Sequence, residues 1–572
     1  VCLTIDISGS MGTIATLKGD KGETLNYGHS VLSITVCAAK TILNSLNDND
    51  NISIVTYTDK ANIIVDYWSV TKENKVLIDK MLDELKPLNT TNIWDGIKTS
   101  LDILKAKSPK NRMKGIFLLT DGVPNVEPSR GHEYVLEKYY KDNSNFNCMI
   151  NSYGFGYQLK SDLLQNISSI SGGDGFAFIP DSSLLGNIFI HGISNFLTTA
   201  AFGSEMKIVL EDGITFEDNS NEKLIKIDSL KYGQDKHFVM PYKIIPGKEI
   251  PEEIGVMKID INDIHFTSEI TQSNNNFEQI ARTKAVTTLE ILLEQMRFNE
   301  KDIVKTIITS YLDYLNTLNK TEYIENIIFD FSGQVKEALN MTNEGEKKDW
   351  FSKWGRHYLR SLKDAYKNEV CNNFKDKGVS NFGGKLFDKL RDEISDIFDN
   401  MPPPKKTIQS YNYGVRGSSP TGLAPIATMA SYNTNFSGGC CAKGSMIKLA
   451  DGSQKPVELL KYGDKVITVD ISDGIIKETE STIECVVITK CHKSKEYMVE
   501  LEGGSGNKLQ ITPYHPVYST GLISKGWKFP IDISPSIPTE INCKEMFTFV
   551  VKDRRPVIVE DYIFATYGHG LK

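Results

Sequence analysis

Gly115–Thr120 reads GIFLLT, six residues without a charge, and this run constrains the fold more than any other stretch of the chain. A strand that is apolar throughout is one buried on both faces, as in a parallel sheet covered by helices. The flanking sequence supplies the other parts of such a sheet. Val1–Ile7 is a second apolar strand, and Leu32, Val36, Ala39, Leu43 and Leu46 recur at helical spacing within His29–Leu46. Ile52–Tyr57 and Ile63–Tyr67 read as strands joined by a short polar turn, and Ile93–Lys105 as a helix. Met149–Gly154 and Gly175–Ile179 read as strands separated by a helix at Ser161–Ile170. This alternation predicts a doubly wound α/β domain over residues 1–200.

The pattern then changes three times. Residues 201–272 carry short strands (Met206–Leu210, Leu224–Ile227, Phe238–Tyr242, Met257–Ile261) broken by Asp, Asn, Gly and Pro, as in a small antiparallel β domain. Residues 273–400 are amphipathic and almost free of Gly and Pro before Gly333, which predicts an α-helical bundle. Residues 401–437 begin Met401-Pro402-Pro403-Pro404-Lys405-Lys406, continue rich in Ser, Asn, Tyr, Gly and Pro, and read as a flexible linker. Residues 438–572 return to short strands, an all-β module whose one helical turn is expected near Pro456–Leu460. The whole is therefore multidomain, α/β, β, α and all-β in order, as 572 residues require.

Charge and cysteine usage narrow the function. A net charge of −8 argues against nucleic acid as a partner, because counterion release needs clustered Lys and Arg. No apolar run reaches the ~18 residues of a spanning helix, so no membrane insertion is expected. The nine cysteines show no CxxC spacing, so free thiols in a reducing compartment, the cytoplasm, fit better than a disulfide framework. The chain opens inside a strand, which leads us to expect a preceding segment.

Three strand-end loops of the α/β domain carry hard oxygen ligands. The first strand runs into Asp6-Ile7-Ser8-Gly9-Ser10, the loop Asn89-Thr90-Thr91-Asn92 opens the Ile93 helix, and Thr120-Asp121-Gly122 follows the GIFLLT strand. Ligands in open α/β sheets bind just beyond the carboxyl ends of the strands. Two carboxylates and several hydroxyls, without His or thiolate, suit Mg2+, with Mn2+ or Ca2+ as alternatives, and leave a position for an outside carboxylate. Here the sequence resembles the von Willebrand factor A (vWA) family, a Rossmann-like domain. DISGS matches its DxSxS motif, TTNIWDGI its threonine loop and LLTDG its second aspartate loop. The resemblance implies that Ser8, Ser10 and Thr91 bind the metal directly, with Asp6 and Asp121 acting directly or through water. Asp95 reads as a solvated helix residue rather than a sixth ligand.

The last module carries a different chemistry. An N–S acyl shift needs a thiol on the carboxyl side of the scissile bond, little bulk before it and a proton donor for the departing nitrogen. Gly439-Cys440 offers the first two, and Thr512-Pro513-Tyr514-His515, closing the strand Lys508–Thr512, is the candidate for the third. This part resembles the Hint superfamily of Hedgehog C-terminal domains, bacterial intein-like domains and inteins. Cys440-Cys441-Ala442-Lys443-Gly444-Ser445 matches a CxxxGS/T opening and TPYH matches TxxH. The resemblance implies that Cys440 is the nucleophile, Gly439 bears the scissile carbonyl, and Thr512 and His515 polarise and protonate the amide. Cys441 falls where the family carries aromatic or aliphatic residues and reads as packing. Choosing Cys440 over Cys441 rests on the spacing to Gly444-Ser445. Inteins usually end in His-Asn, whereas this chain ends Tyr567-Gly568-His569-Gly570-Leu571-Lys572 with no Asn after Asn542, so cleavage without splicing is expected. His569 stands equally as an assisting and as a structural histidine. Cys485, Cys491 and Cys543 read as buried apolar residues, with acyl acceptance by one of them a lesser reading.

The intervening FSKWGRHY (Phe351–Tyr358) and CNNFKD (Cys371–Asp376), with Pro402-Pro403-Pro404-Lys405, resemble the region that joins these two modules in vWA–Hint proteins. Trp350, Phe351, Trp354 and Tyr358 read as core aromatics. The resemblance implies an autoprocessing protein: the Hint module cleaves Gly439–Cys440 through a thioester and releases or transfers a vWA fragment. The acyl acceptor is water or another nucleophile, and the fragment's partner is a protein that supplies an acidic side chain to the metal. The alternative is a metal-dependent interaction scaffold with an inactive Hint domain.

Overall fold

The computed structural model describes residues 1–402 and 440–566, without 19–23, 89, 181–183, 249–250, 262–263, 272–275, 342–348, 374, 473–474, 492–494, 503–507, 513–514, 520–525, 529, 531–532, 534–538 and 554. Most of the expected linker, together with Gly438, Gly439 and His569, lies outside the described residues. Apart from residues 18–23, the chain forms one unit up to Thr434 and another from Asn435.

In the N-terminal unit, β1 (Cys2–Asp6) is followed by a hairpin of β2 (Ile14–Lys18) and β3 (Thr24–Ser30), then α1 (Val31–Ser45), β4 (Asn51–Tyr57) and β5 (Ala61–Ser69). After α2 (Lys72–Asp83) and α3 (Ile93–Lys107) come β6 (Gly115–Thr120), α4 (His132–Asp142), β7 (Met149–Phe155), α5 (Ser161–Ile170), β8 (Phe176–Ile179) and α6 (Leu185–Leu197). The sheet order is β5-β4-β1-β6-β7-β8, parallel except for β5 at one edge. Every residue of β1, β6 and β7 is buried, as their apolar sequences require. α1, α2 and α3 start at side-chain caps: Ser30, Thr71 and Asn92 accept from the amides of Ser33, Asn74 and Asp95. Gly96 lets α3 close on β4, since a Cβ there would lie 2.5 Å from the Tyr57 ring. That approach fixes the loop ahead of α3.

A second sheet, β11-β9-β13-β14, is built from β9 (Thr199–Leu210), β11 (Glu222–Lys231), β13 (Glu253–Ile261) and β14 (Ile264–Thr271), all antiparallel. β10 (Ile214–Phe216) and β12 (Tyr242–Ile244) pair beside it. The strand expected at Phe238–Tyr242 is displaced: Pro241 has no N–H to donate, and pairing begins only at Tyr242.

The helices that follow are α7 (Phe277–Arg297), α8 (Lys301–Thr317), α9 (Glu322–Asp330), α10 (Lys336–Ala338), α11 (Arg356–Asn368), α12 (Lys377–Ser380) and α13 (Lys385–Asp399). They enclose a core of their own, but two of them join the α/β domain. On α13, Ile394 and Phe398 enter the core formed by α1, α6 and the sheet. α11 covers the β8 edge, where Asp364 accepts from the Phe176 amide (3.1 Å) and Ser361 from that of Phe178 (3.4 Å). Side chains thus pair backbone donors that an edge strand would otherwise expose. Trp354 and Tyr358 are half-buried between the helical core and the α3–α5 face rather than inside either.

The C-terminal unit is built of β-strands, with a short helical turn at Val457–Leu459. Its strands are β15 (Cys441–Ala442), β16 (Met446–Lys448), β17 (Gln454–Pro456), β18 (Lys465–Ser472), β19 (Ile475–Lys490), β20 (Lys495–Glu502) and β21 (Lys508–Ile511). They continue as β22 (Val517–Ser519), β23 (Gly526–Lys528), β24 (Thr539–Asn542), β25 (Glu545–Val551), β26 (Val557–Val559) and β27 (Tyr562–Phe564). The two-residue strand β15 is central, paired antiparallel with β21 through Cys441–Ile511 and with β25 through Cys441–Phe547 and Ala442–Met546.

Candidate functional site

The strand-end loops of β1, β6 and the approach to α3 bring Asp6, Ser8, Ser10, Thr91 and Asp121 to one place. Asp6 closes β1, and its carboxylate accepts from the Ser8 amide (2.8 Å) and the Thr120 hydroxyl (2.6 Å). The Ser10 hydroxyl donates to Asp121 (2.8 Å) and lies 3.1 Å from that of Ser8. Asn125 holds the Thr91 backbone in both directions, accepting from its amide (3.1 Å) and donating to its carbonyl (2.9 Å). A Cβ at Gly122 would stand 3.5 Å from Ser10 Oγ and 3.8 Å from Thr91 Oγ1, so both hydroxyls face the same point. Asp6, Ser8, Thr91 and Asp121 are buried while Ser10 is exposed. Sequence reading missed Thr120 and Asn125 as supports, although Thr120 stands inside the quoted LLTDG.

Two buried carboxyls dominate the electrostatics of this place. Burial raises the Asp6 carboxyl above the usual range. Burial, with the Asp6 charge adding to it against the Ser10 hydroxyl, pushes Asp121 up to about 6. Among the described residues, the hydrogen bonds these two acids accept come from hydroxyls and an amide, none from a basic side chain. A divalent cation would relieve this deficit, and the hydroxyl and carboxylate oxygens are the donors that Mg2+ takes. Among the described residues no three His, Cys, Asp or Glu side chains come together as a metal cluster. A metal here would therefore rest on two carboxylates and on hydroxyls. Ser8, Ser10, Thr91 and Asp121 open into a cavity of about 520 Å³ whose far wall includes Ile34 and Phe155. Asp95 is only half-buried and accepts from the Ala61 amide (2.7 Å) at the start of β5, a structural tie away from this point.

In the C-terminal unit the register of β15 places Cys440 beside Thr512. The Cys440 amide donates to Thr512 Oγ1 (3.0 Å), and the Thr512 amide donates to the Cys440 carbonyl (2.9 Å). That amide nitrogen is the one the predicted cleavage releases. The His515 amide closes the turn onto the Thr512 carbonyl (3.1 Å), and its ring is buried against Phe564, with centroids 3.6 Å apart. Cys440 is fully buried among Ala442, Met498, Cys543 and Met546, its Sγ 4.0 Å from Thr489 Oγ1. Strand alternation sends Cys441 to the opposite face. There its thiol donates to the Phe547 carbonyl (3.4 Å), and burial drives its pKa far up. Cys543 is buried and Cys491 half-buried, but Cys485 is exposed, against the expectation that all three pack inside. Residue 485 sits at a break in register between β19 and β25, where alternation no longer turns it inward.

An α/β domain with a hydroxyl and carboxylate site at its strand ends, followed by a β domain headed by a buried cysteine, defines a chain of two functional classes. Family models match both, and the stretch between them. The von Willebrand factor type A domain matches residues 1–123, the VWA / Hh protein intein-like model 321–396 and the Hint-domain model 439–572. The three matches, in this order, show a vWA–Hint architecture. Solved structures similar to it include a von Willebrand factor type A protein from Catenulispora acidiphila (12% identity, 65% of this chain and 88% of that one, TM-score 0.45). A DnaB intein from Synechocystis (18%, 22% and 98%, TM-score 0.19) and a bacterial intein-like domain from Clostridium thermocellum (18%, 22% and 96%, TM-score 0.19) are also similar. No curated protein matches the chain. No helix among the described residues is long and apolar enough to cross a membrane.

Proposed function

We propose that the chain is an autoprocessing protein whose C-terminal unit cleaves Gly439–Cys440 by an N–S acyl shift. The observation that carries this reading is the 3.0 Å hydrogen bond from the Cys440 amide to Thr512 Oγ1. It singles out one peptide nitrogen and ties it to the TxxH turn. In the step, Cys440 Sγ bonds to the Gly439 carbonyl carbon and the C–N bond breaks. The thiol proton is balanced by the one gained at the Cys440 nitrogen. Thr512 holds that nitrogen in place and His515, four residues past the end of β21, delivers its proton. An amide is more stable than a thioester, so proton delivery and a subsequent acceptor, water or another nucleophile, drive the reaction forward.

The N-terminal unit, in the same reading, binds a protein partner through Mg2+ and an acidic side chain. Ser8, Ser10 and Thr91 would hold the ion, with Asp6 and Asp121 acting directly or through water. The ion supplies a Lewis-acid position for the partner's carboxylate. The chain's own part is to keep five oxygen ligands converged ahead of binding.

The test is intact mass of the purified chain under reducing conditions with and without hydroxylamine. Wild type yields a fragment ending at Gly439, and hydroxylamine accelerates its release. Cys440→Ala stays whole, and Cys441→Ala still cleaves. A wild-type chain that stays whole in every condition would leave the non-cleaving scaffold as the function.

A further inference from the structure

The register that sets Thr512 beside Cys440 sets a second threonine on its other side. β15 pairs with β25 through Cys441–Phe547 and Ala442–Met546, so continuing the ladder by one residue puts Thr548 opposite Cys440. Opposite residues in an antiparallel pair project to the same face. Met546, two positions before Thr548, packs in the cluster around Cys440, whereas Phe547 and Phe549 fill the core on the other face. Thr548 is 1% exposed, and its hydroxyl has no hydrogen-bond partner among the described residues. A buried hydroxyl without a partner is unfavourable, and valine would fill the same volume without that cost.

We propose that Thr548 donates its hydroxyl to the carbonyl oxygen of the bond joined to Cys440 when that oxygen becomes an oxyanion. The inference rests on the autoprocessing reading above. When Cys440 Sγ bonds to the carbonyl carbon, the C=O electron pair moves onto oxygen. Negative charge stands there until the C–N bond breaks and the carbonyl re-forms as a thioester. The carbon under attack is covalently bonded to the Cys440 nitrogen, which Thr512 holds from the β21 side. A donor on the β25 side is free to serve the oxygen. Negative charge stands on that oxygen only in the tetrahedral species, so the hydrogen bond is strongest there and lowers the barrier.

The experiment measures thioester formation in the full chain as the rate of hydroxylamine cleavage, by intact mass, for wild type, Thr548→Val, Thr548→Ser and Cys440→Ala. Thr548→Val is expected to slow cleavage roughly a hundred-fold while Thr548→Ser stays near wild type. Thr548→Val should melt no lower than Thr548→Ser, so a loss of stability would not account for its slower cleavage. Cleavage of Thr548→Val within two-fold of wild type, with the wild type active, overturns this inference and leaves the autoprocessing reading standing. If Thr548→Val fails to fold, Thr548→Ala takes its place: slow cleavage rescued by serine supports the proposal, and equal rates in Ala and Ser overturn it. A wild-type chain with no hydroxylamine-sensitive bond removes both readings.

Discussion

Asp121 illustrates how a single residue carries a site. Its carboxyl is raised to about 6, above the 3.8 of an unperturbed aspartate, by burial first and then by the charge of Asp6. A raised acid favours the protonated folded state, so without metal its contribution to stability is lost as pH rises from about 4 through about 6. Above that window the ionised side chain costs about 3 kcal/mol. Mg2+ competes with the proton, so the thermal stabilisation by Mg2+ is expected to be larger at pH 7.5 than at pH 5. Asp121→Asn should be more stable than wild type at pH 7.5 without metal, and should gain little from Mg2+. Thermal melts at the two pH values with Mg2+ or chelator decide the point. An equal Mg2+ response in Asp121→Asn and wild type would count against the site. The five residues that the strand-end loops bring together, the candidate ligands, were legible from three short motifs. Thr120 and Asn125 were not singled out, because a support is defined by what it touches.

Among the elements, α11 does the least obvious work. Its sequence gave a helical pattern but no hint that one face would seal the edge of β8. Its His357 is fully buried, its Nδ1 2.8 Å from the Ser161 hydroxyl of α5 and its ring 5.3 Å from that of Phe178. Burial, with Arg356 nearby, lowers its pKa to about 4. A depressed histidine contributes stability that is fully present above the unfolded value of 6.5 and is lost as pH falls towards 4. His357→Gln removes this titration, so its thermal midpoint should fall less than that of wild type between pH 7 and pH 5. The difference corresponds to a slope of up to about 1.4 kcal/mol per pH unit. Parallel declines in the two proteins would show that the acid sensitivity lies elsewhere. Strand β15 makes the complementary point. Two residues are too few to read as a strand from periodicity, yet their pairing on both edges is what brings Cys440, Thr512 and Thr548 into one row.

At the scale of the molecule, the α/β domain is completed from far along the chain. Ile394 and Phe398 of α13 pack with Ile42, Leu43 and Phe189, and Phe398 is fully buried. Phe398→Ala is expected to cost about 3–5 kcal/mol. The loss should appear in the same unfolding transition that the proposed Mg2+ site would stabilise, although residue 398 belongs to the helical region of the sequence. A Mg2+-responsive transition unchanged by Phe398→Ala would separate the two cores.

Sequence alone determined what depends on local pattern. Buried parallel strands follow from apolar runs, helices from 3.6-residue spacing, the candidate metal ligands from strand-end motifs, and the change to an all-β module from short strands after residue 440. Tertiary structure decided what depends on register and on contacts between distant segments. Sequence contained both Thr512 and Thr548 but gave no reason to link the second to Cys440, since 108 residues separate them. Only the antiparallel ladder, with its two-residue period, fixes which side chains share a face. The same holds for α11 and α13, whose amphipathic patterns announce a buried face without naming the surface that buries it.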